Sequence, residues 1–257
     1  MSTTASAAGE TPDSDRTSLS SASTGSFLTA VGHEVGDAGL TAAALARAVV
    51  HVLPVDGAGL STLVNVLRLP LGGSSHDARL AEELQTSLGE GPCLDAAEAQ
   101  AVVVVDLDEL RTRWELYGEE LEAKTPFRSV ASVPLSAPGY GVLGALDLYS
   151  TDPRLSDRLD HAQVEEVGRT AAALLTTCVG QINAAQDPGA GPGWYRDAAG
   201  RRHDVWVAIG MVMSARAGRA SDALSLLRAH AYSTGRSLDD LAADIIADRL
   251  SLTDLTD

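Results

Sequence analysis

Residues 201–250 read RRHDVWVAIGMVMSARAGRASDALSLLRAHAYSTGRSLDDLAADIIADRL. In three successive segments the apolar side chains recur at intervals of three and four residues, which is the spacing of one helix face. The three stripes are Val205, Ala208, Ile209 and Val212, then Ala220, Ala223, Leu224, Leu227 and Ala231, then Leu238, Leu241, Ala242, Ile245 and Ile246. The segment is therefore predicted to form a bundle of three short helices.

Small and polar residues separate the three stripes. Gly218 and Gly235 follow the first and second stripes, where a helix often closes on a left-handed residue, and Ser221 and Ser237 are predicted N-caps. Gly210 lies inside the first helix, where glycine costs about 1 kcal/mol relative to alanine. Its presence predicts that another helix approaches closely at this point.

The same segment resembles the ANTAR domain. The resemblance rests on residues 208–213 (AIGMVM), followed by Ala223, Leu227, Arg228, Ala231, Gly235, Leu238 and Ala242. It implies binding to hairpin loops of a nascent transcript, transcription antitermination, and action as a homodimer. Trp206 and Ile209 stand where many members carry charged residues, which favours a wider apolar dimer face.

Basic and aromatic side chains of this segment are the candidate RNA-binding residues. Arg228 and Tyr232 are four residues apart on one helix face, with Arg236 just beyond it, and Arg201 and Arg202 begin the first helix. Arginine can pair with phosphate or stack on an unpaired base, and tyrosine offers a ring for stacking. The alternative is that these are solvated or locally ion-paired side chains.

Charge is unevenly distributed along the 257 residues. The formal net charge is −16, yet residues 194–250 hold eight Arg and seven Asp, so that the remainder carries −17. Because nucleic-acid affinity depends on neutralising phosphates, a nearly neutral segment must rely on the placement of individual arginines.

The order of patterns upstream predicts an α+β domain with one antiparallel sheet flanked by helices. Helical spacing at residues 41–53, 77–88, 110–123 and 163–183 alternates with strand-like segments at 57–65, 66–71, 102–107, 128–135 and 142–150. Residues 1–26 are half Ser or Thr and are predicted to be a disordered tail. Residues 184–194 contain Pro and Gly and are predicted to be a linker.

This upstream region resembles a GAF domain. The resemblance rests on residues 89–93 (GEGPC), 106–107, 128–130, 134–135 and 143–149 (LGALDLY), and it implies a sensor that leaves room for an unidentified small-molecule ligand. Glu90 and Cys93, in the turn-rich segment, are the candidate ligand-binding residues. A structural turn with a buried thiol is the simpler interpretation of Cys93.

No catalytic constellation is found in the sequence. The six His residues lack metal-ligand spacing, no G-x-S-x-G elbow occurs, and Gly72-Gly73-Ser74-Ser75 lacks the lysine of a phosphate loop. We therefore predict no enzymatic activity, no metal and no cofactor. Two cysteines, and no apolar run long enough to span a membrane, favour a cytoplasmic location without a membrane partner.

The predicted organisation is a tail (1–26), a GAF-like sensor (27–183), a linker (184–194), an ANTAR-like RNA-binding domain (195–251) and a short tail (252–257). The favoured function is a signal-sensing regulator that binds RNA. A DNA-binding regulator and a protein-interaction module without nucleic-acid binding are the alternatives. The acidic third helix suits a DNA-recognition role poorly.

Overall fold

The computed structural model describes residues 13–36, 39–64, 67–139, 141–184, 193–216 and 218–255. Within these ranges the elements, in chain order, are α1 (Asp13–Glu34), α2 (Ala42–Val52), β1 (Gly57–Val64), β2 (Leu67–Gly73), α3 (His76–Leu88), α4 (Pro92–Ala99), β3 (Val103–Val105), α5 (Leu107–Arg113), α6 (Glu115–Lys124), β4 (Ser129–Ala137), β5 (Gly141–Ser150), α7 (His161–Ala184), α8 (Gly193–Arg216), α9 (Ala220–Ser233) and α10 (Leu238–Ile246). None of the helices in these ranges is long and apolar enough to cross a membrane.

The strands form one sheet, ordered β2-β1-β5-β4-β3, in which every neighbouring pair of the described strands is antiparallel. This confirms the predicted antiparallel sheet flanked by helices. Successive side chains of each strand point to opposite faces of the sheet. In β5, for example, Leu146 and Leu148 join one apolar core, whereas Asp147 and Tyr149 lie on the opposite face.

The first face of the sheet is covered by α1, α2 and α7. Leu60, Val133 and Leu146 from the strands pack with Phe27, Leu45 and other side chains from these helices in a continuous apolar core. Burial of these apolar side chains stabilises the fold.

The second face is covered by α3 and α4, with α6 packed against α3 and α5 against α6. Phe127 and Tyr149 stack with ring centroids 5.0 Å apart in its apolar part. Ser61, Arg68, Ser132 and Asp147 extend from the strands beneath the helices and are buried. This face therefore combines an apolar core with a polar interior.

The three C-terminal helices share a core of their own, to which all three predicted stripes contribute. Ile209 is 1 % exposed in this core and is not part of an outward apolar face; Ile246, in contrast, is 39 % exposed. Leu255 is fully buried in the same core, so the chain beyond residue 251 is part of the bundle as far as Leu255. The bundle lies on the domain that contains the sheet, with α9 against α3 and α8 against β2.

Several predicted elements differ from the structure. Helix α1 begins at Asp13, inside the segment predicted to be a disordered tail, because Phe27, Ala30 and Val31 anchor the helix against the first core. Residues 1–12 lie outside the described residues, as do 185–192 of the predicted linker. The helix predicted over 110–123 is divided at Trp114, whose backbone leaves helical geometry at ψ 74°.

The ends of the bundle helices were predicted in part. Gly235 has φ 66° and Ser237 caps α10 by accepting a hydrogen bond from Asp240 N, as predicted. Helix α9, however, has its N-cap at Arg219 and not at Ser221, and Gly218 is not left-handed. Gly210 is exposed, and a Cβ built there has no neighbour within 4 Å among the described residues, so the helix contact predicted at Gly210 is absent from this part of the chain.

Candidate sensor site and output surface

A buried charge cluster occupies the second face of the sheet. The guanidinium of Arg68 in β2 is 2 % exposed, and its Nη2 donates to Glu82 Oε2 in α3 at 2.7 Å and to Asp147 Oδ2 in β5. Its Nε donates to Ser61 Oγ in β1 at 2.7 Å. Strands β2, β1 and β5 are sheet neighbours, which is why residues far apart in sequence meet here.

Uncharged side chains complete the cluster. Gln85 Nε2 donates to Asp147 Oδ2 at 3.0 Å and to Tyr149 Oη at 3.2 Å, and Gln85 Oε1 accepts from the backbone N of Cys93 at 3.2 Å. Tyr149 Oη donates to Glu82 Oε1 at 2.6 Å. Helix α3 thus holds two members of the cluster, Glu82 and Gln85, one turn apart on one face.

Burial controls the protonation of this cluster. It raises the pKa of Glu82 well above the ordinary carboxyl value, and the charge of Asp147 raises it further, whereas Arg68 acts in the opposite direction. Burial also raises the pKa of Tyr149, so its hydroxyl keeps the proton that it donates to Glu82. Because the pKa of Arg68 is also raised, we infer a charged guanidinium group beside a protonated Glu82.

Two buried polar atoms next to these charges have no hydrogen-bond partner within the described residues. They are Arg68 Nη1 and Tyr117 Oη, and both side chains are almost completely inaccessible. Tyr117 belongs to the same buried apolar cluster as Tyr149, and burial first, then Asp147 and Glu82, raise the pKa of its hydroxyl. Because an unsatisfied buried donor costs free energy, these two groups are available to an acceptor supplied by a bound molecule.

Glycines make room for the cluster. A Cβ on Gly59 would lie 2.5 Å from Glu82 Cδ, and a Cβ on Gly91 would lie 2.9 Å from Gln85 Cγ. Gly91 also has φ 135°, a backbone conformation that side chains oppose. The structure therefore explains the second glycine of GEGPC. It leaves room for the side chain of Gln85, and it is the N-cap residue of α4.

The two predicted ligand-binding residues lie at the edge of this cluster. Cys93 is 2 % exposed, and burial raises the pKa of its thiol strongly, which keeps the thiol protonated and agrees with a structural role. Glu90 is half-buried and its Oε1 accepts from the backbone N of Tyr117 at 2.8 Å. Glu90 therefore caps the first turn of α6 and holds Tyr117 next to the cluster through its backbone.

The predicted RNA-binding residues are distributed over different environments. Arg228 contacts α3 of the sheet domain, where its Nε donates to Thr86 O at 3.1 Å. Arg236 Nη2 pairs with Asp244 Oδ2, and Asp244 also accepts from Arg249 Nε at 2.6 Å. Tyr232 is 47 % exposed and lines a cleft between α3 and α9. Arg201 and Arg202 belong to α8, but their side chains lie outside the described residues.

Sequence reasoning did not identify Arg68, Glu82, Gln85, Asp147 or Tyr117 as site residues. A charged residue within an alternating strand pattern ordinarily faces solvent, and Glu82 is one of several acids in α3. One feature of the sequence could have indicated the site: Asp147 is the single charged residue in the strand-like segment GALDLYS.

Comparison with known proteins identifies the sensor. A family model described as a GAF domain matches residues 21–176, which is more than half of the chain. The chain therefore belongs to the GAF domain family, and a GAF domain supports a role in sensing signals. The match begins inside the predicted tail, in agreement with the packing of α1. No curated protein matches the chain.

Solved structures, among them two described as GAF domains, are similar to the chain at low identity. The GAF domain of an Acinetobacter phosphoenolpyruvate-protein phosphotransferase is 13 % identical, with 65 % of this chain and 97 % of that chain covered and a TM-score of 0.43. The corresponding domain from Coxiella burnetii is 14 % identical, with 63 % and 98 % covered and a TM-score of 0.44. The structure of fRMsr of Staphylococcus aureus in complex with substrate is 15 % identical, with 60 % and 95 % covered and a TM-score of 0.42.

Proposed function

We propose that the protein is a ligand-controlled RNA-binding regulator, in which the GAF domain binds a small molecule at the Arg68 cluster and the C-terminal bundle binds RNA. The observation that carries the sensor half is the pair of unpartnered buried groups, Arg68 Nη1 and Tyr117 Oη, beside the charged cluster. A low-dielectric, preorganised set of donors favours a ligand that presents an acceptor oxygen, such as a carbonyl or carboxylate group.

A tyrosine variant tests the ligand site with little disturbance of the fold. Tyr117→Phe removes only the hydroxyl that has no partner among the described residues, so the variant is expected to be at least as stable as the parent protein. The small molecules released from purified protein by denaturation are identified by mass spectrometry in both forms. A compound that is present with the parent protein and lost from Tyr117→Phe supports the site.

Tyr149→Phe is the matched control for that experiment, because it also removes one buried tyrosine hydroxyl, but one that has hydrogen-bond partners. Its hydroxyl donates to Glu82 and accepts from Gln85, so its loss should lower stability. Equal occupancy of the same compound in the parent protein and in a folded Tyr117→Phe variant would contradict a ligand contact with Tyr117.

The output half rests on the ANTAR resemblance and on three side chains of α9 and the turn that follows it. Arg228 and Tyr232 are one turn apart on α9, and Arg236 follows the left-handed Gly235. Guanidinium groups and a tyrosine ring suit the unpaired bases and phosphates of a hairpin loop. Binding to such loops in a nascent transcript would promote read-through of a terminator, and the same resemblance favours a homodimer.

Filter binding measures the RNA activity directly. The full chain is titrated at low salt with a pool of hairpin RNAs with randomised loops and, separately, with duplex DNA. RNA binding that is weakened by Arg228→Ala and by Arg236→Ala supports the proposal. Preference for duplex DNA would favour a DNA-binding regulator instead.

A protein-interaction module is the second candidate, and one observation favours it. Among the predicted RNA-binding residues, Arg228 contacts a sensor carbonyl group and Arg236 pairs with Asp244, so protein groups already engage both guanidinium groups. In this case neither nucleic acid binds, even at low salt and with the variants described below.

A further inference from the structure

The output bundle docks on the sensor through Arg228. This side chain is half-buried, and its Nε donates to the backbone carbonyl of Thr86, in the last turn of α3. The last carbonyl groups of a helix lack partners within the helix and carry partial negative charge, so they form a favourable site for a guanidinium group.

A glycine shapes the sensor side of this contact. Gly89 closes α3 in the left-handed conformation, with φ 74°. A Cβ at this position would lie 2.6 Å from Arg228 Cζ and 3.0 Å from Arg228 Nε. The guanidinium therefore lies directly on the backbone of Gly89, and any side chain at position 89 would displace it.

The docking contact and the polar cluster share helix α3. Glu82 and Gln85 belong to the cluster, Thr86 is the next residue after Gln85, and the Thr86 hydroxyl donates to Glu82 O at 3.0 Å. Gln85 also accepts from Cys93 N beyond Gly89. A movement of α3 that follows a change at Glu82 or Gln85 would therefore shift the carbonyl group and the glycine that hold Arg228.

The face of α9 that is docked is the same face that would contact RNA. Tyr232, one turn after Arg228, lines the α3–α9 cleft opposite Leu84 and Leu88. The cleft has a volume of about 480 Å³. An RNA loop on this face would occupy the space that α3 now fills.

We propose that α3 of the sensor and RNA compete for the Arg228 face of α9, so that the docked arrangement is the RNA-free state. This inference rests on the proposed RNA-binding function. Because binding to one partner excludes the other, a ligand that loosens α3 at the cluster raises the affinity for RNA by the same factor by which RNA raises the affinity for that ligand.

A side chain introduced at position 89 tests the competition without altering α9. Gly89→Asn keeps a residue that tolerates the left-handed conformation and places a side chain where the guanidinium now lies. Gly139→Asn is the matched control, because Gly139 also has a left-handed φ of 80° and a Cβ there has no neighbour within 4 Å among the described residues. Arg228→Ala and the double variant Gly89→Asn/Arg228→Ala complete the set.

Two measurements on the full chain are made with each variant. Filter binding with the randomised-loop hairpin pool gives RNA affinity, and hydrogen exchange of residues 83–89 and 224–232 reports the docked contact without RNA. We expect Gly89→Asn to exchange faster in both segments and to bind RNA more tightly by about 5- to 150-fold, the range typical of coupled sites. Gly139→Asn should resemble the parent protein, and the double variant should bind as weakly as Arg228→Ala.

The remaining outcomes separate the competition from the RNA function. Faster exchange in Gly89→Asn with RNA affinity equal to that of the parent protein would overturn the competition and leave RNA binding intact. Unchanged exchange in Gly89→Asn would overturn the docked contact itself. If no form binds RNA, the proposed function fails and the competition fails with it.

Discussion

Gly59 in β1 lies directly against the carboxyl group of Glu82 in α3, since a Cβ on Gly59 would be only 2.5 Å from Glu82 Cδ. Both residues are buried. A strand glycine ordinarily weakens a sheet, so its presence here is explained by the close approach of this carboxyl group. The relationship fixes the distance between α3 and the sheet, and therefore the geometry of the cluster.

Gly59→Ala should lower the free energy of unfolding by about 1–3 kcal/mol, the usual cost of overpacking a closely packed core. Urea unfolding followed by circular dichroism measures the change. In a Glu82→Ala background the added methyl group no longer meets a carboxyl group, so the same substitution should cost less. An equal cost in both backgrounds would show that the contact with Glu82 does not limit residue 59.

The protonation of Glu82 predicts a pH dependence of stability. Because burial raises the folded-state pKa of Glu82 above its ordinary 4.5, the native state retains a proton that the unfolded chain releases. The stabilisation by this carboxyl is complete below about pH 4.5 and is lost as the pH rises through the folded-state pKa. Glu82→Gln cannot lose a proton, so the stability of the parent protein relative to this variant should fall with rising pH.

Urea unfolding of both forms at intervals from about pH 3 to about pH 9 measures this difference. Glu34→Gln is a control with the opposite sign, because hydrogen bonds from Arg47 and His51 lower the pKa of Glu34. The contribution of Glu34 is present at higher pH and is lost as the pH falls. Parallel curves for the parent protein and Glu82→Gln would contradict a raised pKa at Glu82.

Two helical glycines should respond oppositely to the same substitution. Gly210→Ala should raise the free energy of unfolding by up to about 1 kcal/mol, because a Cβ at this exposed position meets no atom within 4 Å among the described residues. Gly168→Ala should lower it, because the Cβ would lie 2.5 Å from Cγ1 of the buried Val133. Urea unfolding of both variants tests the pair, and changes of the same sign would contradict this account.

Local patterns predicted most elements of the fold, whereas contacts between distant residues were not accessible to them. Helix and strand periodicity depends on neighbours a few residues apart. It correctly placed the core residues of α9 and α10, except that Ala220 is only partly buried and Ile246 is exposed. The cluster joins Arg68 to Glu82 and Asp147, 14 and 79 residues away, and Arg228 meets Thr86 across 142 residues. The spacing of residues within one helix or strand does not predict contacts between residues so far apart in sequence.

Gly210 also shows that sequence patterns do not identify contacts between distant segments. The cost of a helical glycine correctly suggested that its position has a reason, but the described chain places no helix against it. The homodimer that we propose would cover this position if it packs α8 of one copy against α8 of the other. If it does, Gly210→Ala weakens self-association in sedimentation experiments while it stabilises the monomer.

Asp244 restrains the arginine that follows α9. It pairs with Arg236 and Arg249, and its pKa is lowered by Arg236 first and then by Arg249, so it remains ionised at neutral pH. Asp244→Asn removes the charge that holds Arg236. On the proposed function, RNA should bind more tightly and the slope of log affinity against log salt should steepen by about one.

Asp248→Asn is the matched control for Asp244→Asn, because it makes the same change in net charge one turn further along. Asp248 is exposed and has φ 56°, a conformation that asparagine also tolerates. Release of Arg236 predicts that Asp244→Asn strengthens binding to the hairpin pool more than Asp248→Asn does. Only Asp244→Asn alters the partner of the Arg236 guanidinium. Equal effects of the two variants would therefore mean that net charge alone governs affinity and that Arg236 makes no specific contact with RNA.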